Sequence, residues 1–212
     1  MAEHDLHLLP VLRTRESAFS YTCRGCGRCC YHKGIRVGPY ETARLADALG
    51  TSTTDVLDRY VHPETNLLRQ AEGGACVFFD GGCRVHRGRP LACRLYPLVW
   101  TGATDGSESF PELSAHPETE GEYGTDGAVA NYLASQDTAP YERAAWRYAA
   151  VLRRLRVALE ADGADPGKPP PVLDVDAALE GEESSGDLED RIDRHLELLH
   201  AWLDAADAPP ST

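Results

Sequence analysis

The sequence contains no stretch approaching the roughly 18 consecutive apolar residues that a membrane-spanning helix requires, so no membrane association is expected. Its first residues, Met1-Ala-Glu-His-Asp-Leu, carry neither the basic segment nor the apolar run of an export signal, and a soluble, cytoplasmic protein is the expectation. A Gly-rich phosphate loop, a dinucleotide fingerprint, Gly-x-Ser-x-Gly and His-Glu-x-x-His are all missing, which removes the usual sequence grounds for nucleotide, acyl-hydrolase or zinc-protease chemistry. Internal repeats, coiled-coil heptads and a transit peptide are missing too. Lysine is scarce, two against nineteen arginines, an imbalance that genome composition and high-salt adaptation would explain equally well.

Positive charge is also scarce where the chain ends. Residues 1–100 carry 13 Lys and Arg against 10 Asp and Glu, whereas residues 101–212 carry 8 against 24, giving a net charge of -13. A strongly acidic second half argues against wrapping nucleic acid, which needs a positive footprint, so no nucleic-acid partner is expected.

What is present is cysteine, seven residues in two groups: Cys23, Cys26, Cys29 and Cys30, then Cys76, Cys83 and Cys93. A reducing compartment and an odd count both disfavour disulfides, so the thiols read as metal ligands. Cys23, Cys26 and Cys29 recur every third residue, a spacing that lets one loop or helical turn aim three sulfurs to one side. That arrangement suits three irons of a cubane and also tetrahedral zinc, with Zn–S bonds of roughly 2.3 Å. Adjacent side chains diverge, so Cys29 and Cys30 together hint at two neighbouring metal positions or a polynuclear centre. Cys76, Cys83 and Cys93 supply the remaining ligands, and the cofactor expected is an iron–sulfur cluster, 4Fe–4S favoured, with zinc as the competitor. His86 would complete a Cys₃His set, but it lies among Arg84, Arg87 and Arg89 and reads equally well as a turn residue. Arg24, Arg28, Lys33, Arg36, Arg84, Arg87, Arg89 and Arg94 are expected to surround the thiols and offset thiolate charge. Tyr21, Tyr31 and Tyr96 are expected to pack on the site or donate to sulfur; His4 and His7 read as terminal residues, His195 and His200 as packing or surface residues.

A length of 212 residues allows one to two domains at about 150 residues each. The fold class expected is α+β: a small irregular metal-organised domain over 1–100, a loop and helical extension packed on it over 101–163, and an acidic linker with an amphipathic helix over 164–212. Strands are predicted at Ala18–Thr22, Ile35–Val37, Asn66–Gln70, Cys76–Phe79 and Leu98–Trp100. Helices are predicted from Pro39 to Gly50, from a Ser52 cap with a reciprocal Asp55, over one turn after Pro90, over 126–135 and 138–162, and from Asp187. Residues 101–125 read as a surface loop or lid. The long helix is expected to bury Trp146, Ala150, Leu152, Leu155 and Leu159, and the last one Leu188, Ile192, Leu196, Leu199, Trp202 and Leu203, on the domain or on a second subunit.

Cys23-x-x-Cys26-x-x-Cys29-Cys30, then Cys76-Val-Phe-Phe, Cys83-Arg-Val-His86 and Arg89-Pro90-Leu-Ala-Cys93-Arg94-Leu-Tyr96-Pro97, resemble the CxxCxxCC cysteine-cluster family. The resemblance runs from about Phe19 to Trp100 and departs at His86, where the family more often has tyrosine. It implies zinc or iron chelation by the cysteines. Flagellin lysine N-methylases carry a similar domain with an iron–sulfur cluster, which implies S-adenosylmethionine and a protein or peptide substrate as candidates, without assigning any catalytic residue. Three function classes stand open: a metal-dependent enzyme, methyl-transferring or oxidoreductive; a redox or metal-handling protein; and a structural interaction module.

Overall fold

The computed structural model describes residues 11–102, 106–160, 169–181 and 186–206. The fold is α+β as expected, with seven α-helices and two two-stranded antiparallel sheets among the described residues. No helix of this part is long and apolar enough to cross a membrane.

Strand β1 (Ala18–Thr22) forms where predicted, and its partner lies within and beyond the segment expected to be a loop. β2 (Thr101–Gly102) pairs with β3 (Glu108–Ser109), and β4 (Glu122–Ala128) pairs antiparallel with β1, Tyr21 opposite Tyr123. The glycines that suggested a loop serve close approach instead: a Cβ on Gly124 would meet Ser20 Oγ at 2.6 Å, and one on Gly121 would meet the Tyr21 hydroxyl at 2.2 Å. The helix predicted from 126 therefore starts later, as α4 (Val129–Ser135), after Asn131 Oδ1 accepts the Ala128 amide at 3.0 Å.

Helix α1 (Pro39–Leu49) begins with Pro at its first turn and closes at Gly50 with φ 65°. Glu41 Oε2 accepts the Gly38 amide at 3.1 Å, a capping contact the sequence reading did not anticipate. Helix α2 (Thr53–Tyr60) is capped by Ser52 Oγ, which accepts the Asp55 amide at 3.1 Å. The Asp55 carboxylate accepts the Thr51 hydroxyl at 2.6 Å, and the Ser52 backbone also bears on it, so Thr51 adds to the predicted reciprocity. The strands predicted at Ile35–Val37, Asn66–Gln70 and Cys76–Phe79 shrink to isolated bridges, Arg36 with Leu67, Val61 with Leu68, and Gln70 with Cys76. Pairing cannot extend because Asn66, Gly73 and Gly74 all take positive φ and turn the chain away. Leu98 likewise makes only one bridge, to Glu112.

Helices α3 (Leu91–Leu95), α5 (Ala139–Glu160) and α7 (Leu188–Ala206) lie close to their predicted places. The short α6 (Val175–Ala178) was not predicted; Asp174 caps it, and Asp174 and Asp176 both bind the buried Thr53 at the start of α2. On α5 the inward stripe is Tyr141, Ala144, Tyr148, Val151, Leu155 and Ala158, so Trp146 (36% exposed) and Leu152 (46%) were misassigned to it. The tyrosines decide the rotation: Tyr141 meets Tyr40 edge to face, and Tyr148 reaches His195. Ala150 is exposed, and the side chain of Leu159 lies outside the described residues. Helix α7 buries Ile192, Leu196, Leu199 and Leu203 on this same chain, with Leu188 and Trp202 partly buried beside them.

The buried residues form two cores, and α1 divides them. Tyr40 and Ala43 face a helical core with Phe19, Phe110, α5 and α7, while Leu45 and Ala46 face a smaller one with Val56, Leu68, Phe78 and Val85. Cys76, Cys83 and Cys93 pack against the smaller core. Each fully buried Leu, Val or Phe contributes about 1.5–3 kcal/mol, so these few residues fix where the late cysteines stand.

Candidate metal centre

The early cysteines lie on a tight loop held open by two glycines with positive φ, Gly25 at 71° and Gly27 at 73°. Gly27 also lies under the Phe79 ring, where a Cβ would come within 2.5 Å of Cε2. One 3₁₀ turn over Arg28–Cys30 follows, closed by the Cys30 amide donating to Gly27 at 2.8 Å. The Gly25 amide donates to Cys23 Sγ at 3.4 Å, so the loop backbone already turns toward sulfur.

The late cysteines are brought to this loop by backbone pairing. The His32 amide donates to Gly74 and the Cys76 amide to Cys30, each at 2.8 Å, on either side of a Tyr31–Ala75 bridge. Asp80-Gly81-Gly82 makes the turn predicted, and Phe79 bridges Cys83. Phe78 and Val85 are both sunk in the smaller core, and the backbone of each acts on the thiol two residues earlier, Cys76 and Cys83, to lower its pKa against the effect of burial. Peptide dipoles aimed at sulfur stabilise thiolate. Cys93 enters from the short α3, its amide donating to Pro90 at 3.0 Å.

Electrostatics define the neighbourhood. Cys30 donates a hydrogen bond to the Cys29 thiolate, holding Cys29 down at about 6 and pushing Cys30 up, so the pair holds one proton near neutrality. Burial raises Cys76 and Cys83 and pushes Cys93 up to about 12. Each of these thiols also feels the others: Cys83 and Cys93 raise Cys30, Cys83 and Cys29 raise Cys76, and Cys76, Cys29 and Cys83 raise Cys93. Cys29, Cys30, Cys76, Cys83 and Cys93 therefore share one electrostatic pocket.

Cys23 and Cys26 stand on its outer side, toward the tyrosines. Cys23 bears on Tyr21 and Tyr132 and Cys26 on Tyr96, while Cys29 bears on all three and so links the two groups. All seven thiols are free. Among the described residues no three Cys, His, Asp or Glu side chains are gathered tightly enough to hold a single metal ion.

The cations are fewer at the site than expected. Lys33 and Arg89 reach the thiols, both lowering Cys29, Lys33 also Cys93 and Arg89 also Cys83. Arg24 and Arg28 pair instead with Glu122 at 2.6 Å and Glu118 at 3.1 Å. Arg94 is buried and donates to the carbonyls of Arg87, Arg89 and Gln136, while Arg84 donates to that of Val77. His86 is exposed with Nδ1 3.3 Å from Arg89 Nη1, and burial with the Arg89 charge lowers its pKa. That is the turn-residue reading. His195 is fully buried between Tyr148 and the Pro171 carbonyl, His200 is exposed, and His4 and His7 lie outside the described residues. The tyrosines pack by their rings, Tyr21 on Tyr96 and Tyr31 on Phe79.

Residues 22–120 match the CxxCxxCC family, described as "Putative zinc- or iron-chelating domain". This stretch of the chain is similar to that family. No curated protein and no solved structure matches the chain. The match runs past Trp100, where the sequence resemblance stopped, and takes in β2, β3 and Glu112. That extension has a physical basis, because the amides of Val99 and Leu113 donate to Pro111 and Pro97 at 2.8 Å each, pinning this segment to the end of the cysteine region. The action of the Phe78 and Val85 backbone on the thiols was missed from sequence; the signal was the apolar residue two places after each cysteine.

Proposed function

We propose that this protein binds metal through cysteines from both halves of the CxxCxxCC-like stretch, as one thiolate-ligated centre and preferentially as an iron–sulfur cluster. The observation that carries the reading is the backbone bond from Cys76 to Cys30, which joins the two cysteine groups before any metal is added. The donor set fits such a group. Free thiols, backbone groups that act on Cys23, Cys76 and Cys83, and the cations Lys33 and Arg89 together favour a centre of net negative charge. Spread-out sulfurs favour several irons over one ion, since tetrahedral zinc draws four ligands to roughly 2.3 Å of a single point. An iron–sulfur centre held there supplies electron transfer or a Lewis-acidic iron.

Cys23 is exposed, so the outer edge of the centre meets solvent or a partner, which favours redox, metal-handling or enzymatic work over a purely structural knot. A reduced, cytoplasmic setting is part of the same proposal, supported by the free thiols. Methyl transfer from S-adenosylmethionine to a protein or peptide is the specific enzymatic form of the proposal. Anaerobic purification tests the first claim: stoichiometric iron and acid-labile sulfide with broad visible absorption support the cluster. Colourless protein with zinc alone rejects iron, and folded, reduced protein holding neither metal rejects the whole reading. A visible spectrum altered by S-adenosylmethionine supports methyl transfer; an unchanged one points to electron or metal handling.

A further inference from the structure

Positive charge in the acidic half of the chain is concentrated on one helix. Of the eight Lys and Arg residues in 101–212, five lie on α5: Arg143, Arg147, Arg153, Arg154 and Arg156. Arg147 and Arg154 are neutralised by α7, through Asp193 at 2.5 Å and Asp204 at 2.9 Å. Arg143, Arg153 and Arg156 are exposed, and none of the three has a carboxylate partner among the described residues. The same outward side is apolar, with Trp146, Leu152 and Val157 (64% exposed) on it. The Trp146 indole is already fixed in place: it meets Trp100 edge to face at 5.4 Å and covers Gly102, where a Cβ would come within 2.9 Å of the ring. A rigid, part-exposed tryptophan is the residue type that anchors protein interfaces.

A cleft of about 960 Å³ runs along this helix, lined by Ala149 and Leu152 together with Leu98, Trp100 and Val172. Arg153 follows Ala149 by four residues and Arg156 follows Leu152 by four, so each arginine stands one helical turn beyond a lining residue. Long side chains on a helix lean back toward its N-terminus, which brings both guanidinium groups over that edge of the cleft. We propose that this face docks an acidic amphipathic helix of a partner protein, its apolar stripe in the cleft beside Trp146 and Leu152 and its carboxylates against Arg153 and Arg156. From Arg143 to Val157 the face is about 21 Å long at 1.5 Å per residue, the length of about four turns of a partner helix. A bilayer or a nucleic acid presents negative charge to the whole molecule, which a net charge of -13 repels, and neither fills a concave apolar cleft. A short helix brings its carboxylates to the arginines alone. The face contains no cysteine, so docking does not depend on the proposed metal centre.

The test is fluorescence anisotropy of two labelled synthetic helices, each about 15 residues long, titrated with the full chain as purified. One is built of Leu, Ala and Glu with its leucines on one face; the other has Lys in place of Glu. Saturable 1:1 binding of the acidic helix and none of the basic one is expected. Arg153→Glu combined with Arg156→Glu, on exposed side chains, should weaken binding about tenfold or more, because like charges then face each other. Trp146→Ala should weaken it about tenfold as well, and the charge-reversed variant keeps the test decisive if Trp146→Ala fails to fold. No binding of the acidic helix, equal binding of both helices, or unchanged affinity after charge reversal would each overturn the proposal. So would a dimer in sedimentation velocity that charge reversal dissociates, which would assign the face to a second copy of the chain. Binding to phosphatidylserine vesicles that charge reversal abolishes would assign it to a membrane and overturn the proposal equally.

Discussion

The amide of Cys76 donates to the carbonyl of Cys30 at 2.8 Å, joining two residues that stand far apart in sequence and in separate cysteine groups. The bond matters because it is made by the backbone alone, and so holds the groups together whatever the thiols do. Replacing the Cys76 sulfur should therefore leave the fold intact while removing a ligand. Cys76→Ser is expected to lower metal affinity by roughly tenfold or more, given that even changes one shell further out cost that much, and by as much as Cys26→Ser. Metal content by mass spectrometry, with circular dichroism as the control, checks this. Full loading of Cys76→Ser would mean that the first four thiols suffice.

Gly27 couples backbone conformation to the second group through Phe79. An alanine there must adopt φ 73° and also displace the ring it would meet at 2.5 Å. The left-handed backbone alone costs about 1–2 kcal/mol. Gly27→Ala should lower unfolding free energy by at least that amount in urea and reduce metal uptake. Gly25→Ala provides the contrast, with a similar φ and open space around its Cβ, and should cost only the backbone part.

The two cores should respond differently. Phe78→Ala and Leu199→Ala both remove fully buried side chains, at about 3–5 and 2–5 kcal/mol respectively. Only Phe78 sits next to a cysteine pair and acts through its backbone on the Cys76 thiol. Metal content per folded chain should fall in Phe78→Ala and hold in Leu199→Ala. Equal loss in both would show that the metal reports global stability rather than local geometry.

How far the sequence disclosed this arrangement depended on the range of the interaction. Helices α1, α5 and α7 were readable because Pro39, Gly50 and i, i+4 apolar spacing are local signals. β4 was not, since Gly121 and Gly124 look like loop residues until Tyr21 and Ser20 are placed opposite them. Trp146 and Leu152 failed for a related reason: on an α5 with apolar residues around much of its circumference, the choice of inward face was made by Tyr40 and His195 from other helices. The cysteine grouping was legible from spacing, and the Asp80–Gly82 turn between Cys76 and Cys83 was as well. The joining of early and late groups rests on a Tyr31–Ala75 bridge whose partners carry no sequence mark. Similarly, the expected ring of arginines thinned to Lys33 and Arg89 because Glu118, Glu122 and backbone carbonyls claimed most of the rest.

His195 provides a pH prediction independent of metal. Its Nε2 donates to the Pro171 carbonyl and its Nδ1 accepts the Tyr148 hydroxyl, so the buried ring is held neutral and burial lowers its pKa from the ordinary 6.5. Below that value the unfolded chain takes up a proton that the folded chain refuses, and stability falls as pH falls. Urea midpoints should drop between pH 7.5 and 5.5, and His195→Gln should show a shallower drop. An equal slope in the variant would assign the pH dependence to other groups, such as His86, whose pKa is also lowered.

Thiol alkylation followed by mass spectrometry, on metal-loaded and chelator-treated protein side by side, tests the convergence of the two groups most directly. The account predicts that metal protects Cys26, Cys29, Cys30, Cys76, Cys83 and Cys93 together, and that stripping it exposes them together. Protection confined to Cys23, Cys26, Cys29 and Cys30, with the late three alkylated at the same rate in both samples, would contradict it.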